Sequence, residues 1–357
     1  MIKIKKIKLD NPVPVYDITV PDTSNFYANN ILVHNCSEIV LMTNAVKTAV
    51  CCLSSLNLDN WDVYKDDYQF FKDIMEMLDN VLQYFIDHAP DEISRARLSA
   101  LEERSVGLGV MGFHSYLQQN DIPFDCVLAK VKNIEIFQHI KNQVDQANLE
   151  LGAERGSPKL LEGTGLRFAH TTTIAPTASN ALICGNVSPS IEPWRANAFR
   201  QDTLSGTFIQ KNKYLDQLIK QKVATEKYDY DHIWLQIVQD EGSIQNNDVF
   251  DEYEKETFRT GAEIDMMWAV EHVADRQKFI DQSQSFNIFI RPDISIKRLH
   301  AIHFSAWKKG VKSMYYVRSE KLANTENVSK KVERIRIEDD IDLKSLINET
   351  ECLACEG

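Results

Sequence analysis

Val50-Cys51-Cys52-Leu53-Ser54-Ser55-Leu56-Asn57-Leu58 is the stretch on which the fold turns. Its apolar residues and its length read as a short strand. Successive strand side chains point to opposite faces, so at most one of the adjacent thiols Cys51 and Cys52 faces a site, and alternation does not say which. Upstream stands Cys36-Ser37-Glu38-Ile39. On an extended strand the Cys36 thiol and the Glu38 carboxylate project from one face, because the side-chain period is two. Such a pair suits a radical carrier or nucleophile beside a general base; the plainer alternative is a buried thiol near a surface carboxylate.

Downstream, Phe70, Phe71, Ile74, Met77, Leu78, Val81, Leu82 and Phe85 recur at helical spacing, which predicts a helix from Asp67 to about His88 with a stripe wide enough to pack on a sheet. Further helical stretches are expected over 127–154, 213–239 and 259–281. Ser295 reads as an N-cap. Ile296, Leu299, Ile302, Ala306 and Trp307 follow as a buried face, Lys308 and Lys309 complement the helix dipole, and Gly310 ends the helix. Residues 311–317 then read as a strand. Helices alternating with short strands indicate an α/β architecture with a largely parallel sheet. From residue 319 to residue 357 there is no aromatic side chain and a high density of Lys, Glu, Asp and Asn, the composition of a mobile tail. Its Cys352 and Cys355 have no histidine near them, so zinc would lack ligands and no metal site is expected.

The chain of 357 residues is 43% apolar and 26% charged, ordinary values for a soluble globular protein with a large core. A net charge of -12 argues against nucleic-acid and membrane surfaces, and no apolar run is long enough to span a bilayer. Seven cysteines without secretory context suggest a reducing, cytoplasmic compartment, in which thiols do chemistry. The basic start, Met1 to Lys8, lacks the cleavage site and apolar length of a signal peptide and reads as an edge strand.

His34-Asn35-Cys36 adds a second chemistry. An Asn side-chain amide can attack its own backbone carbonyl, close a succinimide and break the following peptide bond, assisted by a neighbouring His. A Cys in the next position supplies the thiolate that first captures an acyl group. Upstream lie Val15-Tyr16-Asp17-Ile18-Thr19-Val20, the turn-like Pro21 to Ser24, and Asn25-Phe26-Tyr27-Ala28-Asn29-Asn30 running into Ile31-Leu32-Val33. This segment resembles the C-terminal half of a split intein, a small all-β Hint-type element, over residues 1–35 plus Cys36. The resemblance implies splicing roles for Asp17, His34, Asn35 and Cys36. Many inteins carry a His where this chain has Ser24, so no role passes to that residue. A basic half-intein suits an acidic partner half, with charge steering the encounter.

Beyond residue 36 several motifs occur in order: C-x-E-I at Cys36, C-x-L-S-x-L-N-L from Cys51, Arg104 to Val110, Pro176-Thr177-Ala178-Ser179, Ser190-Ile191-Glu192-Pro193, Phe279 to Ser283, Gly310 to Tyr316, and the terminal C-x-x-C. Together they resemble the C-terminal half of the large subunit of a class I ribonucleotide reductase, a ten-stranded α/β barrel. The resemblance implies a barrel part over 36–318 and a redox tail over 319–357. It implies that Cys36 carries a thiyl radical, that Glu38 is the base for the 3′ hydroxyl, and that Cys51 is one of the reducing thiols, with Cys52 a packing residue. Tyr315 and Tyr316 would relay the radical from a separate small subunit that holds the radical metallocofactor; without the resemblance, such a pair in a strand reads as core packing. Cys352 and Cys355 would re-reduce the active-site disulfide and be reduced in turn by a thioredoxin or glutaredoxin. Cys36, Ser37 and Glu38 would meet a ribonucleoside diphosphate, and Pro176, Thr177, Ala178, Ser179 and Asn180 would wrap its diphosphate. Small residues with free N–H groups and hydroxyls suit that contact.

Gly107-Leu108-Gly109-Val110-Met111-Gly112 satisfies G-x-G-x-x-G, but it lacks a convincing preceding strand, and Asp121 and Asp125 flank Pro123 rather than ending a second strand. It is assigned no NAD; the resemblance makes it a structural turn beside the barrel. The reductase pattern N-x-C-x-E is broken here, since His34 stands where its Asn belongs. That Asn, the second reducing Cys and the allosteric nucleotide site are expected from an N-terminal reductase and half-intein fragment, so this chain alone should be inactive. An oligomer in the cytoplasm, or in the host cytoplasm if viral, is the expected setting. The alternatives are a cobalamin-dependent or other thiyl-radical barrel enzyme, which would need no Tyr315–Tyr316 relay, and a structural relic that no longer splices.

Overall fold

The computed structural model describes residues 25–28, 31–34, 37–203 and 206–319, with backbone alone over 25–34, at 200–203 and at 206–208. The chain divides into two compact units, Met1–Cys36 and Ser37–Gly357. In the first, β1 (Asn25–Ala28) and β2 (Ile31–His34) form an antiparallel pair with Asn25 opposite His34 and Ala28 opposite Ile31. The strand expected at 15–20 lies outside the described residues.

In the second unit, β3 (Cys52–Asn57) pairs in parallel with β4 (Val106–Met111). The row continues through two extended runs. Val106 N donates to His170 O and Leu108 N to Thr171 O; Ile174 N in turn donates to Ser283 O, and Ser285 N to Ile174 O. The bridges Leu108–Thr172 and Ile174–Gln284 are both parallel. Beyond them β7 (Ile288–Ile290) pairs in parallel with β8 (Val317–Ser319). The described residues form no closed barrel. β5 (Ala198–Thr203) and β6 (Gly206–Lys211) make a separate antiparallel pair. A satellite core lies beside them, formed by Leu215, Ile219, Ile233, Trp234 and Ile237.

The segment 107–112 is therefore not a turn. Residues 106–111 form a wholly buried strand, and its glycines are packing devices: a Cβ at Gly107 would lie 2.3 Å from Thr173 Cγ2, and one at Gly109 2.4 Å from Thr173 O. Removing both side chains lets the 170–174 run lie against β4.

Helix Tyr68–His88 starts where Asp67 accepts a hydrogen bond from Phe70 N at 3.3 Å and stops before Pro90, which excludes helical geometry at Ala89. Phe71, Met75, Leu78, Leu82 and Ile86 are its buried face. Each contributes roughly 1.5–3 kcal/mol of apolar burial. It packs on helix Val127–Arg155, whose N-terminus is capped by the Cys126 sulfur. The expected 213–239 helix is two, Lys213–Thr225 and Tyr230–Gln239, because Asp229 caps a new start by accepting from Asp231 N at 3.0 Å. The 259–281 stretch shortens to Met266–Gln277, since Glu263 accepts from Thr260 N and ties the residues before it into a turn.

Two expectations near the end need correction. Ser295 does cap helix Ile296–Lys308, but only Ile302 and Ala306 are buried there; Leu299 is half-buried, and Ile296 and Trp307 are 86% and 73% exposed. Among the described elements this helix packs chiefly on Met266–Gln277, so one narrow stripe suffices. Residues 311–316 are not strand; only Val317–Ser319 is. At Tyr316 the backbone N–H donates to the Asn287 side chain at 3.1 Å, where a ladder would have offered a carbonyl.

Candidate active site

The polar run Gln282-Ser283-Gln284-Ser285 is entirely buried. Buried polar groups require partners, and those of Gln282, Ser283 and Ser285 include Cys51, Glu38 and Ser37, residues singled out from sequence. Glu38, 7% exposed, is held at both ends: its carboxylate accepts from Ser285 Oγ at 2.7 Å, and its carbonyl accepts from Ser283 N at 3.0 Å and from Thr173 Oγ1 at 2.8 Å. Ser37 lies beside it, with its Oγ 3.3 Å from Ser285 Oγ and its carbonyl accepting from Ser313 Oγ at 2.5 Å. Ser37 and Glu38 form a bend, not the extended strand expected; three hydroxyls and one backbone N–H hold them. A carboxylate with one hydroxyl donor keeps acceptor capacity for a substrate proton.

Cys51 comes from the opposite end of the row, and Gln282 joins the two. Its Nε2 donates to Cys51 Sγ at 3.2 Å while its Oε1 accepts from Val40 N at 3.3 Å. Burial pushes the Cys51 thiol up to about 12; the Gln282 hydrogen bond opposes this, and the Cys52 and Glu38 charges add to it. At neutral pH the group is therefore a protonated thiol that can give up hydrogen. Cys52 packs against the main core, which resolves the face that alternation left open.

Tyr315 and Tyr316 are both buried, with ring centroids 4.0 Å apart and planes at 44°. They are tied to the same extended run: Tyr315 N donates to Phe286 O at 2.9 Å, and Tyr316 O accepts from Ile288 N at 2.8 Å. The Arg318 guanidinium lies 4.5 Å from the Tyr316 ring centre.

Pro176 to Asn180 continues the run that holds Thr173 and Ile174. Thr177 is buried and its Oγ1 accepts from Ser190 N at 2.8 Å, while Ser179 and Asn180 are exposed on the short helix Ala178–Ile183. A cavity of about 950 Å³ adjoins this helix, lined in part by Ala178, Pro189, Trp194, Arg195 and Phe199.

Asp17, Asn35, Cys36, Cys352 and Cys355 lie outside the described residues, and of His34 only the backbone is described. Among the described residues no cluster of His, Cys, Asp and Glu could hold a metal ion, and no helix is long and apolar enough to cross a membrane. Sequence reasoning gave no site role to Thr173, Gln282 and Ser285. A signal was present: five consecutive polar residues, Asp281 to Ser285, stand between Ile280 and Phe286.

A family model described as "Ribonucleotide reductase, barrel domain" matches residues 4–164 and 158–317. The chain belongs to the ribonucleotide reductase barrel-domain family. The match begins inside the segment read above as a half-intein. Among curated relatives of this family, a ribonucleoside-diphosphate reductase large subunit of Invertebrate iridescent virus 6 is 50% identical over 316 residues, covering 88% of this chain and 33% of that protein. One of Invertebrate iridescent virus 3 is 45% identical over 293 residues, covering 82% and 46%. In structure, the chain is similar to an Actinobacillus ureae class Id ribonucleotide reductase alpha subunit, with a TM-score of 0.74 at 36% identity over 80% of this chain and 52% of that one. It thus spans about a third to a half of the length of these large-subunit relatives.

Proposed function

We propose that the chain is the C-terminal part of a split large subunit that, once joined to an N-terminal partner by protein trans-splicing, reduces ribonucleoside diphosphates to 2′-deoxyribonucleoside diphosphates. The observation that carries the reductase reading is the convergence of Glu38 and Cys51 on one buried run, through Ser285 and Gln282.

In this reading a Cys36 thiyl radical takes the 3′ hydrogen of the ribose and Glu38 takes the 3′ hydroxyl proton. The 2′ hydroxyl leaves as water. Cys51 and a partner-chain thiol supply two electrons and become a disulfide, Cys36 returns its hydrogen to C3′, and Cys352 and Cys355 reduce the disulfide by exchange. The radical reaches Cys36 through Tyr316 and Tyr315 from a small subunit, which supplies the radical metallocofactor. Pro176 to Asn180 hold the diphosphate. A thioredoxin-like protein restores the tail thiols.

The splicing reading draws support from the order His34-Asn35-Cys36 and from the division of the chain into compact units after Cys36. The partner's acyl group moves to Cys36, Asn35 cyclises and releases residues 1–35, and an S-to-N acyl shift leaves a peptide bond. Mixing this chain with an N-terminal precursor and following intact mass tests it: the expected product lacks residues 1–35 and makes deoxynucleotide with a small subunit. A chain that keeps Met1 with no larger product sinks the splicing reading. Deoxynucleotide formation unchanged by Cys36→Ala in a separately expressed, directly fused subunit sinks the reductase reading.

A further inference from the structure

Glu192 is a buried carboxylate, 6% exposed, that the chemistry above does not use. Both of its oxygens face Asn287: Oε1 accepts from Asn287 N at 2.8 Å and Oε2 from Asn287 Nδ2 at 3.1 Å. That second bond fixes which way the Asn287 amide points, so its Oδ1 is left to accept from Tyr316 N at 3.1 Å. Asn287 thus serves Tyr316 N–H with a side-chain oxygen, beside the backbone bonds from Tyr315 N to Phe286 O and from Ile288 N to Tyr316 O.

On its other side Glu192 is tied to the loop at Pro176. Ser190 N donates to Thr177 Oγ1, and Glu192 N closes a turn onto Pro189 O at 3.0 Å. Ser190 itself, 1% exposed, sits at φ 49° in the left-handed region that non-glycine residues rarely occupy. Such a conformation persists only where the surroundings over-determine it. Here it turns the chain so that the residue two positions on reaches Asn287.

We propose that Glu192 is a positioning residue: acting through Asn287, it holds the backbone of Tyr316 in register with the loop that begins at Pro176. The proposal rests on the reductase reading for its meaning, since it joins the diphosphate loop to the tyrosine relay. Burial raises the Glu192 carboxyl to about 7, and its hydrogen bonds from Asn287 and the Arg318 charge oppose that rise. The donors aimed at it are those a carboxylate satisfies and a neutral carboxamide cannot.

Glu192→Gln tests this. The two donors of Asn287 would face one acceptor and one donor, and the pairing is restored only if the Asn287 amide turns over and gives Oδ1 to the introduced amide. Tyr316 N–H then loses its acceptor, while Tyr315 N–H keeps Phe286 O. Hydrogen exchange resolved at single amides, on the full chain, should show Tyr316 exchanging ~3- to 10-fold faster relative to Tyr315, the factor for one net hydrogen bond. Asn287→Ala keeps the backbone contact to Glu192, removes Oδ1 and should give the same selective rise, so the idea stays decidable if the first variant does not fold. An unchanged Tyr316 to Tyr315 ratio in a folded variant overturns the proposal. In the joined subunit, Glu192→Gln should lower kcat while KM stays within about twofold, as expected where an interaction is lost from the reacting state alone. A wild-type joined subunit that makes no deoxynucleotide would count against the reductase reading, whereas the exchange ratio judges the positioning role by itself.

Discussion

Gly107→Ala should damage the fold through one neighbour, and that neighbour can be named. The added methyl would sit 2.3 Å from Thr173 Cγ2, 2.6 Å from Leu53 Cδ2 and 3.3 Å from Cys51 Sγ. Carbon atoms in contact are normally about 3.5–4.0 Å apart, so the first overlap exceeds ~1 Å. Leu53 is 40% exposed and can swing away. Thr173 is 1% exposed and β-branched, so it yields only by rotating about χ1, which takes Oγ1 off the Glu38 carbonyl. Overpacking costs roughly 1–3 kcal/mol, and a buried hydrogen bond left unmade roughly 1–3 kcal/mol more. Thr173→Ser removes the offending methyl and keeps the hydroxyl, and alone should cost about 1 kcal/mol. The double variant should therefore be more stable than the sum of the singles by at least about 1 kcal/mol. Equilibrium urea unfolding of all four chains, compared at equal slope, measures this. Additivity within about 0.5 kcal/mol would refute the argument that Gly107 is small because Thr173 needs the space.

Two further outcomes follow from charge and burial. Cys51, held up at about 12 against a usual 9.0, has on the order of a thousandfold less thiolate at pH 8 than an ordinary thiol, so iodoacetamide should modify exposed Cys184 first and Cys51 only on unfolding. Because the raised pKa favours the protonated folded form, its contribution to stability is full below pH 9 and is lost as pH rises from about 9 through 12; Cys51→Ala should flatten that part of the stability profile, and an unchanged profile would contradict the assignment. Asp79, 1% exposed, accepts from Arg104 at 2.6 Å, Arg155 at 2.9 Å and Arg167 at 3.0 Å. Burial alone would raise its pKa, but the three guanidinium groups outweigh that and hold it below the usual range. Asp79→Asn removes the charge that Arg104, Arg155 and Arg167 share, leaving Arg155 its ion pair with Glu76, and should cost about 3–5 kcal/mol, a fall in Tm of roughly 4–7 °C by calorimetry; a fall under about 2 °C would show that the arginines find other partners.

What was legible in the sequence was whatever local rules govern. Ser295 caps its helix, and the helix expected from Asp67 starts there, because a side-chain oxygen reaches an N–H within its own first turn, and such short-range geometry can be read without a fold; the same rule at Asp229 was overlooked inside a longer apolar pattern. Trp307 misled because spacing tells which residues share a face but not how much of that face neighbours cover, and among the described elements this helix packs chiefly on Met266–Gln277. Gly107 to Gly112, a turn by the resemblance, proved a strand, and nothing local in the sequence reveals that the 170–174 run lies on its glycines. At the site, Glu38 and Cys51 were given roles, whereas Ser285, Thr173 and Gln282, the last quoted only within the 279–283 motif, were not, since their partners lie 247, 135 and 231 positions away in sequence.

Those distant partners also bear on what joining two chains can add. Glu38 is placed by Ser283, Ser285 and Thr173, and Val40 is bound by Gln282, while Thr48 N donates to Arg95 O at 3.2 Å and Lys47 pairs with Glu102 at 2.7 Å. All of these partners belong to this chain. The segment that follows the proposed splice junction is therefore docked by contacts that do not pass through residue 36, so forming a new peptide bond at Cys36 leaves the Glu38 and Cys51 geometry with no reason to change. On the proposed reading, the unjoined precursor would then be inactive because the catalytic Asn and the second reducing thiol are absent, not because its own half of the site is unformed. Splicing would complete a site whose base and thiol were already in position.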